Sequence, residues 1–266
     1  MTKFGTALIT GASSGLGAVY ADRLARRGYD LVLTARNEQR LNHLAGKLTT
    51  EAGVKVEVLQ ADMTVRSDVR LIEERLRSDG SMTLLVNNAG AGTRKPVLSE
   101  DIDWLEQVIE LNLLAAHRLA VAAAQVFATH GRGGIINLSS IAALSPERVN
   151  ATYSSSKAFI LNLTQALHSE AGPKGVKLQV VLPGPTRTEF FERLGSSFES
   201  RFPREMIMEA TDLVDAALAG FDQGELVTIP SLPDVKDWEN FVAARLALAS
   251  NLFHRVPAAR YGLTVT

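Results

Sequence analysis

The sequence contains no cysteine. That excludes disulfides, thiolate nucleophiles, iron–sulfur clusters and cysteine-based zinc sites, and it suits a reducing, cytoplasmic compartment. No metal site is expected. An excess of one charge is also missing: 28 Lys and Arg stand against 29 Asp and Glu, a formal net charge of −1. Such a chain has no general attraction for nucleic acid or an anionic membrane, and neither is expected as a partner. Long apolar runs are absent. The longest stretch, near 111–128, is interrupted by Asn112, His117, Arg118 and Gln125, which argues against a membrane span. The first residues show no apolar segment with a small-residue cleavage site, so no signal peptide is expected.

What is there is the composition of a globular protein: 266 residues, 46% hydrophobic and 21% charged. Short apolar runs alternate with longer helical patterns. Strands are read at 4–10, 31–35, 54–60, 84–86, 134–138, 176–182 and 226–229. Helices are read at 17–27, 38–51, 67–77, 104–128, 152–171 and 210–221. Apolar strands separated by helices mean parallel strands buried on both faces. The expectation is an α/β fold with one doubly wound, parallel, seven-stranded sheet and helices on both faces. The chain is read as one domain, 1–266, with its core at about 4–230 and a tail at 231–266. Within the tail, 235–253 reads as an amphipathic helix.

The first strand runs into Thr10-Gly11-Ala12-Ser13-Ser14-Gly15-Leu16-Gly17, and a helix follows. Gly11 permits a sharp turn, Gly15 lets backbone approach a pyrophosphate, and Gly17 lets helix pack on strand. The helix start then offers free N–H groups to phosphates. No Lys-Ser/Thr follows the last glycine, so this is not an ATP-binding P-loop. An ordinary glycine-rich turn is the alternative. The second strand ends Leu33-Thr34-Ala35-Arg36 with no carboxylate at its tip. Asp30 lies at the other end, and Glu38 belongs to the next helix. An arginine there pairs with a 2′-phosphate through its planar fork, which favours NADP(H) over NAD(H), although NAD(H) stays possible. The plainer reading makes Arg36 a solvated residue at a helix start.

Tyr153 and Lys157 are four apart on a predicted helix and share one face. An ammonium beside a tyrosine lowers its pKa from about 10, so the pair suits proton transfer. Ser140 lies at the end of the preceding strand, where an open α/β sheet places its ligand crevice. There it could hydrogen-bond a carbonyl or simply shape a turn.

Together Thr10-Gly-x-x-x-Gly-x-Gly17, Asp62, Asn87-Asn-Ala-Gly90, Asn112, Ser140, Tyr153-x-x-x-Lys157 and Pro183-Gly184 resemble the short-chain dehydrogenase/reductase family. The resemblance spans about 4–229 and implies a Rossmann-type fold. It implies that Tyr153 is the general acid or base, with Lys157 on the nicotinamide ribose and Ser140 orienting the carbonyl. Ser139 is the lesser choice, because Ser140 has the family's spacing to the tyrosine. Asn112 would hold a water in a relay to Lys157. Gly11, Ser13, Ser14, Gly15, Leu16 and Gly17 would form the phosphate loop. Asp62 would contact the adenine, and Asn88, Ala89 and Gly90 would flank the cofactor. Pro183, Gly184, Thr186 and Thr188 would shape the nicotinamide pocket. Thr186 departs from the Ile or Val common there. Taken singly, Asn112 could be a buried helix residue, Asp62 a helix cap, and 87–90 a tight turn.

Loops at 91–98, 141–152 and 185–208 are positioned to select a substrate. The last carries Phe190, Phe191, Leu194, Phe198, Phe202, Met206 and Met208, which suits a lipophilic carbonyl or secondary alcohol and equally suits packing of a lid. Arg187, Arg193, Arg201 and Arg204 could suit an acidic substrate, but read first as a solvated face. The family's helix pair implies a homodimer or homotetramer. Two further functions stay open: a dinucleotide sensor or scaffold without chemistry, and a lyase or epimerase that oxidises transiently.

Overall fold

Runs such as TALIT and DLVLTA form strands because both faces of the sheet are covered, so alternation has no role there. The computed structural model describes residues 4–195 and 202–263. In chain order the elements are β1 (Thr6–Thr10), α1 (Gly15–Arg26), β2 (Asp30–Ala35), α2 (Glu38–Ala52), β3 (Val56–Gln60), α3 (Arg66–Ser78), β4 (Met82–Asn87), α4 (Ile102–Ile109), α5 (Ala116–His130), β5 (Gly133–Leu138), α6 (Ala151–Ala171), β6 (Val176–Val181), β7 (Thr186–Arg187), β8 (Met208–Glu209), α7 (Ala210–Gln223), β9 (Val227–Thr228) and α8 (Val235–Ala247).

Seven strands pair in parallel in the order β3-β2-β1-β4-β5-β6-β9, and β7 pairs with β8 in a separate two-residue ribbon. The order reverses between β1 and β4. In open α/β sheets ligands bind at such a point, beyond the carboxyl ends of the strands. Side chains alternate between two cores. Ala7, Ile9, Leu31, Leu33, Leu84 and Val86 meet α1, α2 and α7 on one side. Leu8, Val32, Met82 and Leu85 meet α3 and α5 on the other.

The stretch read as one helix at 104–128 has three parts. Between α4 and α5 the helix widens into a π turn, Glu110–Ala115. By length and composition alone, Ile102–His130 is apolar enough to cross a membrane, so its four polar interruptions do not carry the exclusion drawn from them. Half of its most apolar window is buried in the fold, where α5 packs on α3, α6, β4 and β5.

The chain forms two compact units, Met1–Pro230 and Ser231–Thr266. In the second, Asp234 caps α8 by accepting from the Lys236 N–H at 2.9 Å. The helix stops at Ala247, six residues short of the sequence reading, and gives way to a 3-10 turn at Ala249–Asn251. None of its residues is buried, and Trp238 stacks on Phe241 at 5.3 Å.

Candidate active site

The glycine loop joins β1 to α1 with Gly11 at φ +67° and Gly15 at φ +54°. A Cβ on Gly17 would lie 2.4 Å from the Gly11 carbonyl oxygen and 2.6 Å from Asn88 Nδ2. Any side chain there would therefore push the loop out of shape. Ser14 occupies the N-cap of α1 in extended conformation, yet its hydroxyl makes no cap bond. The first turn also holds no acid. The leading N–H groups of α1 are thus left for an anion. Ser13 and Leu16 are half-buried in the loop, and Leu16 packs on the first core.

Thr10, named in the motif without a role of its own, braces this loop. Its Oγ1 accepts the backbone N–H groups of Asn88 and Ala89, both at 2.9 Å. Asn88 Nδ2 returns a bond to the Thr10 carbonyl at 2.9 Å. The Asn88 side chain therefore fastens the end of β4 to the end of β1 and does not stand open beside a ligand. Gly90 is exposed, and a Cβ there would meet Asn112 Oδ1 at 3.2 Å and Lys157 Nζ at 3.4 Å.

At the tip of β2, Arg36 is 73% exposed, with a guanidinium nitrogen 3.9 Å from Asp62 Oδ2. Asp62 spends its other oxygen on the Thr64 N–H and hydroxyl, at 2.9 and 2.8 Å, closing the turn before α3. Val65, not Asp62, occupies the N-cap of that helix.

Asn150 caps α6 by accepting from the N–H groups of Thr152 and Tyr153, which sets Tyr153 on the first turn. Ser154, Ser156, Lys157, Ile160, Leu161 and Thr164 form the buried face. Lys157 Nζ donates to the Leu138 carbonyl at 3.1 Å and lies 5.8 Å from the Tyr153 ring centre. Ser139 Oγ donates to the Lys157 carbonyl at 2.7 Å. Ser140 accepts from the Ala142 N–H at 3.1 Å, donates to the Pro183 carbonyl at 3.4 Å, and sits close enough to the Tyr153 phenol to favour its ionised form.

Burial raises the Tyr153 pKa above its ordinary value, and Ser140 only partly offsets this. Burial also pushes the Lys157 ammonium down to about 8. The expected lowering of the tyrosine by the ammonium is therefore not what governs this geometry: desolvation outweighs it.

Asn112 sits buried in the π turn. Its Oδ1 accepts from the Ala91 N–H and its Nδ2 donates to the Ala91 carbonyl, both at 2.8 Å. Nδ2 also reaches Ser156 Oγ at 3.2 Å. Through these bonds Asn112 holds the start of the 91–98 loop, with both Nδ2 donors engaged there and on Ser156.

Pro183 and Gly184 follow β6, and Thr186 Oγ1 donates to the Gly184 carbonyl at 2.9 Å. Thr188 lies against Gly15, where a Cβ would come within 3.3 Å of it, so the segment after β7 crosses the glycine loop. Phe190 then reaches the Tyr153 ring at 6.2 Å between centres. A Cβ on Gly92 would come within 2.7 Å of Phe190 and 2.8 Å of Leu194. Phe191 meets Phe190 and Phe202 edge-on, at 5.4 and 5.6 Å. Met206 is exposed. Phe198 and Arg201 lie outside the described residues.

Residues 5–197 match the family model described as short chain dehydrogenase. The fold is similar to a short-chain dehydrogenase from Sphingobium yanoikuyae in complex with NADPH, with 45% identity and a TM-score of 0.93 over 97% of this chain and 100% of that one. It is also similar to the bulky-bulky ketone specific alcohol dehydrogenase from Comamonas testosteroni, with 42% identity and a TM-score of 0.90 over 98% and 99%. An uncharacterized oxidoreductase from Staphylococcus epidermidis is 32% identical over 224 residues, 84% of this chain and 93% of that protein.

Proposed function

This chain belongs to the short-chain dehydrogenase family, and we propose that it interconverts a lipophilic carbonyl compound and its secondary alcohol with NADP(H). One observation carries the reading. Ser140 and Tyr153 come together at the carboxyl end of β5, with the buried Lys157 Nζ 5.8 Å from the Tyr153 ring centre and the glycine loop beside them. The whole arrangement lies in residues 4–230, to which we assign the activity.

The residues present fit a dinucleotide. Gly11, Gly15 and Gly17 leave a cradle that a Cβ would fill, and α1 opens without a side-chain cap. Arg36 at the tip of β2, with no carboxylate in the place that favours NAD(H), supports the 2′-phosphate. When bound, NADPH supplies the hydride that a carbonyl carbon accepts.

Tyr153 gives the matching proton to the carbonyl oxygen, and Ser140 orients that oxygen by donating to it. Lys157 holds the ribose hydroxyls and carries positive charge beneath the phenol. With Tyr153 held protonated by burial, the site is poised for reduction at neutral pH; oxidation asks for the phenolate. The wall of Phe190, Phe191 and Phe202 supports an apolar substrate, and the ketone specificity of the Comamonas enzyme points the same way. Both Tyr153 and Lys157 are in place, which supports catalysis over a sensing role. We also propose a homodimer or homotetramer, supported by exposed Ile102 and Ile109 on α4 and Leu114 beyond it.

Thermal unfolding with NADPH, with NADH and without ligand tests the reading. Ligand at a hundred times Kd adds about 2.7 kcal/mol of stability. A larger shift with NADPH is expected, followed by NADPH oxidation on ketones bearing two bulky groups. No shift with either nucleotide would end the proposal.

A further inference from the structure

One charge cluster spans the mouth of the cleft and is not used above. Glu189 follows Thr188 in the segment that crosses the glycine loop. Its carboxylate accepts from Arg40 Nη1 through both oxygens, at 3.0 and 2.8 Å. The same carboxylate accepts from Arg193 Nη2 at 2.8 Å, and that nitrogen also donates to Ser14 Oγ at 2.7 Å. Arg40 belongs to the first turn of α2, where its N–H donates to the cap residue Asn37, next to Arg36. The Glu189 carboxylate therefore ties α2 to the lid, and Arg193, which it holds, ties the lid to the glycine loop.

The side chains are half in solvent: Arg40 is 49% exposed, Glu189 40% and Arg193 53%. Pairs of this kind contribute between about 0 and 1 kcal/mol to stability, so the cluster opens at little cost. The two guanidiniums hold the Glu189 carboxyl below its usual range, so it is an anion at any working pH. By contrast Arg36, four residues before Arg40, has only Asp62, at 3.9 Å, as an ion-pair partner among the described residues.

We propose that Glu189 stands in for the 2′-phosphate of NADP(H) in the free enzyme, and that Arg40 reads this phosphate beside Arg36 once Glu189 has let go. The inference rests on the NADP(H) reading above. A phosphate carries up to two charges and three acceptor oxygens against the single charge of a carboxylate, and Arg binds it bidentately. A cofactor without that phosphate has nothing to offer Arg40, so Glu189 weakens NADP(H) binding while Arg40 supplies the selectivity. Glu189 and Phe190 are consecutive, so the exchange also unties the segment that places Phe190 on Tyr153.

The test is direct binding to the intact, substrate-free protein by calorimetry, with NADPH, NADH and adenosine 2′,5′-bisphosphate as probes. Glu189→Gln should tighten NADPH and the bisphosphate by about three- to fivefold and leave NADH within about twofold, the scale of an exposed ion pair. Arg40→Gln should weaken the two 2′-phosphates, and Glu189→Gln added to it should then change nothing. Glu192→Gln, which removes an exposed carboxylate from the same segment, is the control for net charge and should have no effect. Unchanged or weaker NADPH binding in Glu189→Gln, or equal tightening of NADH, overturns the exchange while leaving the proposed function standing. Failure of the unaltered protein to bind either nucleotide overturns both.

Discussion

Ser139 donates its hydroxyl to the backbone carbonyl of Lys157 at 2.7 Å, and this leaves the neighbouring Ser140 as the serine that meets Tyr153. Two adjacent residues thus have separate duties, one structural and one chemical. Ser140→Ala should lower kcat by about 10²- to 10³-fold with NADPH affinity unchanged, within the range of a lost hydrogen-bonding group at a reacting oxygen. Ser139→Ala removes a second bond to a carbonyl that α6 already pairs and should cost about 0.5–1.5 kcal/mol in urea unfolding, with a much smaller effect on kcat. Equal kinetic losses in the two variants would contradict this division.

Tyr153→Phe removes the proton donor and keeps the ring that faces Phe190. Turnover should fall by about 10²- to 10⁴-fold, the usual worth of a general acid. NADPH titrated by fluorescence should bind as before. Retained turnover would remove Tyr153 from the mechanism.

Lys157 is buried, and its side-chain bond is to the Leu138 carbonyl. Its pKa is about 8 in the fold against an ordinary 10.5, so between those values the unfolded chain holds a proton that the folded chain has released. Stability therefore rises with pH across that window, by about 3 kcal/mol for this group. Lys157→Met removes the dependence. It should stabilise the protein below pH 8, lose that advantage as the pH climbs toward 10, and abolish turnover throughout. Tyr153, raised above its ordinary value, acts in the opposite sense above pH 10 and does so in both proteins. Urea unfolding at pH 7, 8, 9 and 10 reads the difference, and a flat difference would refute the assignment.

Gly17→Ala drives a Cβ to 2.4 Å from the Gly11 carbonyl oxygen. Backbone on both sides must move, at a cost of about 1–3 kcal/mol. The thermal shift given by NADPH should vanish along with part of the stability. A variant of normal stability that still binds NADPH would show that the loop tolerates a side chain there.

The sheet was legible because its strands are short apolar runs bounded by glycine, asparagine or proline, and parallel pairing follows from such runs alternating with helices. All seven strands and their order of appearance agree with that reading, with ends displaced by a few residues. The glycine loop, Ser140, Tyr153 and Lys157 were legible because their spacing along the chain is itself the signal. The π turn at Glu110–Ala115 was not, since one extra residue per turn leaves no mark on the apolar pattern. The grip of Asn112 on Ala91, the bracing of the loop by Thr10 and the pairing of Glu189 with Arg40 join residues 21 to 149 apart, a relationship that local pattern does not encode. The balance of effects on Tyr153 was not legible for a related reason: the spacing shows the ammonium but not the burial around it.

The strand order divides the sheet into two halves, each continuous in sequence. One holds β1, β2 and β3, the other β4, β5, β6 and β9; within the sheet they are joined by the pairing of β1 with β4, and α1 packs on α7 across the same junction. Pairing within a half closes over one crossover, whereas the seam joins segments separated by the whole of the first half and carries the larger closure cost. The cleft lies at the upper end of this seam, which Asn88 stitches to Thr10. A dinucleotide bound there acts as a fastener on the junction between the halves, resisting their separation more than it resists fraying within either one.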